Sequence, residues 1–353
     1  MNKAKTALVC PLNWGLGHAT RCVPIVHDLQ QKGFNIIIAG ETPVTTFFKH
    51  TIPGITTAFF PGPKISYQKT GPLWIKMLYQ LPSLIRWIKK ERRLILQLAQ
   101  KYGPDCIVSD NRYGARVKGI RSIIITHQLM IKLPWFLSFM EYPLHRTIRS
   151  LIESFDECII PDHPTGTNLS GELSHHYPLP ANASFTGPLS RFMVCQKATN
   201  IANFPDVLVI LSGPEPQRTV LKNKLVKVLR QTRLNVWIMT GRPDKPMQRV
   251  TCGNLTFISH LNDSTLKSVL LQTPVIISRS GYSTIMDLNY LNRTAILIPT
   301  PGQPEQVYLS KHLKNYFYIL KQSEIENLLM TSIKNVFKQN RLQSKNSLLA
   351  SNP

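Results

Sequence analysis

Short apolar runs separated by stretches of helical pattern recur through almost the whole chain, and this alternation restricts the fold more than any other feature of the sequence. The runs cover 6–10, 34–39, 106–109, 122–126 and 157–160 in the first half, and 207–211, 236–240, 255–258, 275–278, 295–299 and 316–320 in the second. Their length and lack of polar alternation mark buried strands. Strands spaced by helix lengths imply βαβ units, whose parallel sheets are covered on both faces. Between the halves, 161–188 is polar, contains Pro and His and has little periodicity, with a linker expected near 187–189. A chain of 353 residues is long for one core, and the pattern predicts an α/β protein of two doubly wound, Rossmann-like domains facing a cleft. The expected division is 1–188, 189–325, and a C-terminal helix with a polar tail over 326–353.

Charge narrows the partners. Lys and Arg number 42 against 19 Asp and Glu, a net charge of +23, which attracts nucleotide phosphates, nucleic acid or acidic lipid headgroups. The stretch 64–101 is basic, with Glu91 its one acidic residue, and carries Tyr67, Trp74, Tyr79 and Trp87. Within it, apolar residues at 84, 85, 88, 95, 98 and 99 share a helical face, with Arg86, Lys89, Lys90 and Arg93 mostly away from it. That pattern suits either an interfacial membrane helix or a domain helix with its apolar face in the core. A second aromatic and basic stretch runs over 134–149. No run approaches a spanning helix or a signal-peptide core, and the six cysteines form no C-x-x-C pair. The expectation is a cytoplasmic protein with reduced thiols, able to lie peripherally on the inner face of the cell membrane.

The chemistry lies in the loops at the strand ends, where doubly wound sheets bind ligands. After the first run comes Gly15-Leu16-Gly17-His18, opening a helix. Gly15 and Gly17 let the backbone bend and a ligand approach, and His18 supplies an imidazole that accepts protons near neutral pH. Asp110, just after the third run, falls on the same rim, where a carboxylate would stabilise an imidazolium. In the second half, Ser212-Gly213, then Arg279-Ser280-Gly281-Tyr282-Ser283-Thr284, then Glu305-Gln306 each stand at a strand end before a helix. Small polar helix starts suit phosphate oxygens, and Glu305 with Gln306 suits vicinal hydroxyls. Each alone is more often a capped helix; three in one cleft point to a site.

These residues resemble GT-B nucleotide-sugar glycosyltransferases, and among them family 28, which includes the N-acetylglucosaminyltransferase of peptidoglycan synthesis. The resemblance covers about 5–320. It rests on Gly15-x-Gly17-His18, on Gly187-Pro188-Leu189-Ser190-Arg191, on Phe257-Ile258-Ser259-His260-Leu261, on the run from Ser278 to Asp287 and on Pro299 to Gln306. It implies a GT-B fold with the acceptor in the first domain and a nucleotide-sugar, UDP-linked, in the second. His260 and Leu261 would border the base and Asp287 the ribose. Ser212, Gly213, Ser280 and Gly281, in the loops that also hold Ser283 and Thr284, would meet the diphosphate, helped by Arg191 or Arg279. Glu305 and Gln306 would hold the sugar, and His18 would deprotonate the acceptor hydroxyl with Asp110 oriented on it. Two features depart from the family: Asp287 replaces a glutamate, and prolines interrupt the loop after Ser212. With no Asp-x-Asp motif, neither metal nor any other cofactor is expected. The expected reaction is inverting transfer to a hydroxyl, on a lipid-linked acceptor if the basic aromatic stretch meets an anionic membrane. The alternatives are a nucleotide-sugar hydrolase or epimerase of the same architecture, and a non-catalytic protein binding anionic lipid or nucleic acid; nucleic acid is not an expected partner of the enzyme.

Overall fold

A computed structural model describes residues 4–63, 73–133, 135–195, 203–213, 215–242 and 246–350. Lys64 and Tyr67 of the basic stretch, and Pro134 and Pro214, lie outside the described residues.

The alternation becomes two seven-stranded sheets. The first is built from β1 (Thr6–Pro11), β2 (Asn35–Gly40), β3 (Thr56–Phe59), β4 (Cys106–Asp110), β5 (Arg121–Ile125), β6 (Glu157–Ile160) and β7 (Ala183–Phe185), in the order β3-β2-β1-β4-β5-β6-β7, all parallel. The second comprises β8 (Val207–Ile210), β9 (Val236–Met239), β10 (Arg249–Cys252), β11 (Leu255–Ile258), β12 (Val275–Ser278), β13 (Ile296–Leu297) and β14 (Tyr318–Ile319), ordered β10-β11-β9-β8-β12-β13-β14. It is parallel except for β10, which pairs antiparallel with β11 at the edge. The apolar runs predicted from sequence are the inner strands of both sheets and the edge strand β14. β3, β7 and β10 were not expected.

Helices cover both sheets. They are α1 (Leu16–Gln31), α2 (Thr42–Thr51), α3 (Leu73–Tyr102), α4 (Glu141–Ile152) and α5 (Glu172–His175), then α6 (Gln217–Leu229), α7 (Asp263–Gln272), α8 (Tyr282–Tyr290), α9 (Pro304–His312) and α10 (Ile325–Ala350). The apolar face of α10 (Ile325, Leu329, Ile333 and Val336) joins the core beneath the second sheet, and the helix runs on through the segment read as a polar tail.

The second half of α3 resolves the choice between a membrane helix and a core helix. Ile95 and Ala99 are buried against the first sheet, with Leu98 packed beside them. Glu91 is buried and paired with Arg112 at 2.7 Å, and it accepts the Gly114 N–H at 2.9 Å. The buried face of this end of the helix therefore belongs to the core, while Ile85 and Leu96 stand exposed on it. Among the described residues no helix is long and apolar enough to cross a membrane.

Candidate active site

The first sheet reverses its strand order between β1 and β4, which are hydrogen-bonded neighbours with Pro11 opposite Asp110. A crevice opens at the carboxyl ends of such a pair. The loop after β1 turns through Gly15 at φ +128°, a conformation side chains resist, and delivers His18 to the first turn of α1. His18 Nδ1 lies 2.6 Å from Asp110 Oδ1, and the imidazole keeps 18% of its side-chain surface exposed. Asp110 itself is 1% exposed. Both its oxygens accept from the guanidinium of Arg21, one turn beyond His18 on the same helix face. Burial alone would raise the Asp110 pKa, but Arg21 and His18 hold it well below the usual carboxylate range. The ionised carboxylate takes the His18 Nδ1–H and leaves Nε2 with a lone pair, the state required of a base.

The second sheet reverses between β8 and β12, and the polar loops fall there. Ser212 and Gly213 follow β8, half-buried, and Gly281 caps α8. The start of α8 meets the first domain. Ser283 Oγ donates to the Gly17 carbonyl at 2.8 Å, Tyr282 Oη donates to the Pro161 carbonyl at 2.8 Å, and Thr284 follows, half-buried. Gly17 is required by this approach, since a Cβ there would stand 2.9 Å from Ser283 Oγ and 3.2 Å from its Cβ. Gly17→Ala is expected to destabilise the protein by about 1–3 kcal/mol, seen as a lower thermal midpoint. Glu305, in the first turn of α9, crosses to the first domain as well. Its carboxylate receives His127 Nε2 at 3.0 Å and Gln128 Nε2 at 2.6 Å. Burial raises its pKa, but the His127 hydrogen bond and nearby charges bring it below the ordinary value. His260 sits at the rim with its ring 5.7 Å from that of His50 on α2, and Leu261 packs on the core.

Four residues given ligand roles by the resemblance are placed differently. Arg279 is fully buried, donates to the carbonyls of Ile298, Pro299 and Gln217 and to Gln322 Oε1, and burial lowers its pKa to about 10. Its guanidinium ties together the segments after β13, at the start of α6 and at Gln322. Asp287 accepts from Ser190 Oγ at 2.6 Å and pairs with Arg191 Nε at 3.3 Å, so its carboxylate is turned to the linker; burial raises its pKa. Arg191 is shared between Asp287 and Asp263, at 3.1 Å, which offsets the charge expected for a leaving group. Gln306 is buried, its Oε1 accepting the Thr300 N–H at 2.9 Å while its carbonyl receives Ser280 Oγ at 3.0 Å. It shapes the loop that presents Glu305.

Residues 209–352 match the model of the glycosyltransferase family 28 C-terminal domain. The fold is similar to that of the kitacinnamycin glycotransferase (TM-score 0.60, 15% identity, 96% of this chain and 91% of that one). It is also similar to MurG of Acinetobacter baumannii (TM-score 0.53, 15% identity, 97% and 95%) and to UGT89C1 of Arabidopsis thaliana, solved with UDP-L-rhamnose (TM-score 0.53, 11% identity, 98% and 95%). No curated protein shows significant sequence similarity to the chain. The second half of the chain thus matches a family 28 C-terminal domain, and the chain as a whole has the GT-B fold of glycosyltransferases. Within this glycosyltransferase, three residues of the cleft were not predicted as site residues. Arg21 is buried at its centre. His127 and Gln128 follow β5, and the His127 ring stacks on Tyr282 of the second domain, 3.9 Å between centroids and 2° between planes. The signal available for Arg21 was its spacing from His18 on one helix face; His127 and Gln128 sit in no motif, and their shared partner Glu305 comes from the docked second domain.

Proposed function

We propose that this glycosyltransferase moves a sugar from a UDP-linked donor, held by the second domain, to an acceptor hydroxyl held by the first, with inversion and without a metal ion. The observation that carries the reading is the pairing of two switch points. A His18–Asp110 couple stands at one, polar helix starts stand at the other, and the Gly17–Ser283 hydrogen bond joins them. His18 Nε2 takes the hydroxyl proton as the oxygen attacks the anomeric carbon, and Asp110 stabilises the imidazolium. The leaving diphosphate gains negative charge, which the unpaired N–H groups and positive dipole end at the start of α8 stabilise. Glu305, oriented by His127 and Gln128, accepts from sugar hydroxyls. Structural neighbours solved with UDP-L-rhamnose and with thymidine diphosphate support a nucleotide donor.

Calorimetric titration with UDP-, dTDP- and GDP-sugars tests the reading, with a UDP-sugar expected to bind tightest. Absence of binding by all three classes overturns it, and sugar release without an acceptor would replace transfer by hydrolysis. We further propose a lipid-linked acceptor at an anionic membrane face. The charge of +23 supports it, as do the exposed Trp135 (87%) and Phe139 (72%) beside α4. Co-sedimentation with anionic but not neutral vesicles is the expected result; equal recovery with both would remove the membrane from the reading.

A further inference from the structure

We infer that Arg21 is a positioning residue for the protons of both histidines of the cleft: it holds His127 directly as its Nε2–H tautomer, and it orients the Asp110 carboxylate that holds His18 as its Nδ1–H tautomer. The inference deepens the reading of His18 as the base, on which its kinetic half rests. Arg21 is 1% exposed, and a buried cation costs several kcal/mol unless it is paired. Here it has more than a counter-ion. One guanidinium contacts Asp110 through both oxygens, His127 Nδ1 at 3.0 Å and His18 Nδ1 at 3.0 Å.

A guanidinium only donates, so a ring nitrogen hydrogen-bonded to it presents a lone pair. For His127 that nitrogen is Nδ1. The proton of the neutral ring then sits on Nε2, where Glu305 Oε1 accepts it at 3.0 Å. Burial lowers the His127 pKa, in keeping with a neutral ring. At His18 the competition ends the other way. Its Nδ1 has Asp110 at 2.6 Å and Arg21 at 3.0 Å, and the shorter, charged acceptor takes the N–H. Arg21 then acts on His18 through charge, opposing the imidazolium that Asp110 favours.

The other titratable groups around the two rings do not alter this balance. Cys22 Sγ contacts Asp110 at 3.5 Å, and burial pushes its thiol pKa up. Burial likewise raises Tyr113, after β4, to about 12, and Tyr282, on α8, well above its ordinary value, so both phenols stay neutral. Glu305 is held by His127. Arg21, with the Asp110 carboxylate it orients, therefore leaves a lone pair on His18 Nε2 for the acceptor and an N–H on His127 Nε2 for the donor-side carboxylate.

Nitrogen-15 NMR of the histidine rings in the wild-type protein at neutral pH, assigned with His18→Gln and His127→Gln, should find opposite tautomers; the same tautomer on both rings overturns the inference without reference to activity. Arg21→Met should move the acid limb of the kcat/KM profile up by about one pH unit, because a cation opposing the imidazolium is lost. Arg21→Lys, which keeps the charge, should lower kcat and leave the limb in place. A merely structural arginine would lower activity equally at every pH in both variants, and that result rejects the assignment. If Arg21→Met fails to fold, the wild-type tautomers decide. Full activity in His18→Ala would instead remove the base and leave the tautomer result standing.

Discussion

His18→Ala is expected to fold normally and to lose about 10²- to 10⁴-fold in kcat, the range that positioned general-base catalysis supplies. Both halves of that expectation come from the surroundings of the ring. The imidazole lies at the rim of the crevice, partly exposed, in the first turn of α1, so its deletion leaves no large cavity. Nor does it orphan a charge, because Asp110 keeps both hydrogen bonds from Arg21. Thermal unfolding should therefore change little while turnover collapses. Donor affinity should also survive, since the groups proposed to hold the nucleotide belong to the second domain. A calorimetric titration beside a steady-state assay separates the two effects. Near-full turnover in a folded variant would show that the acceptor hydroxyl loses its proton elsewhere.

The sheets were legible in the sequence because a strand buried on both faces is almost wholly apolar, as at 207–210 and 275–277. The unforeseen strands are those to which the rule does not apply. β10 is exposed along its whole length at an antiparallel edge, and β7 is three residues long. The His18–Asp110 pair was legible for a topological reason: a loop after one strand and the end of its parallel neighbour share a rim. What the sequence concealed is what each polar group spends itself on. Arg279 and Arg191 stand in the strings that resemble family 28, yet carbonyls consume the first and two carboxylates the second. His127 and Glu305 are separated by more than half the chain's helices and strands, and no local pattern relates them. Hydrogen-bond partners of this kind are fixed by docking one domain on the other, a long-range event that leaves no periodicity behind.

Asp110→Asn is expected to damage stability and catalysis together. The carboxylate is the counter-ion of a buried arginine, and removing one partner of a buried pair costs about 3–5 kcal/mol because the other charge is left uncompensated. The loss depends on pH with a definite sign. The Asp110 pKa in the folded protein is held below its unfolded value, so the folded state binds fewer protons than the unfolded chain in between. The carboxylate's contribution is thus complete above about pH 4, the ordinary range of an aspartate, and fades as the solution is acidified below it. Chemical denaturation at successive pH values should therefore find the gap between wild type and Asp110→Asn widest near neutrality and shrinking toward pH 3. A gap independent of pH would mean that the carboxylate is not ionised in the folded protein. Catalysis suffers by a separate route. An amide can offer His18 Nδ1 an N–H in place of an acceptor, which moves the ring proton to Nε2, where the acceptor hydroxyl should lose its own. A wrong tautomer of this kind costs up to about 10⁴-fold in kcat where a histidine is the base. Measured well below the variant's melting temperature, the loss should therefore match or exceed that of His18→Ala, because Asp110→Asn leaves the imidazole in place but inverts its protonation.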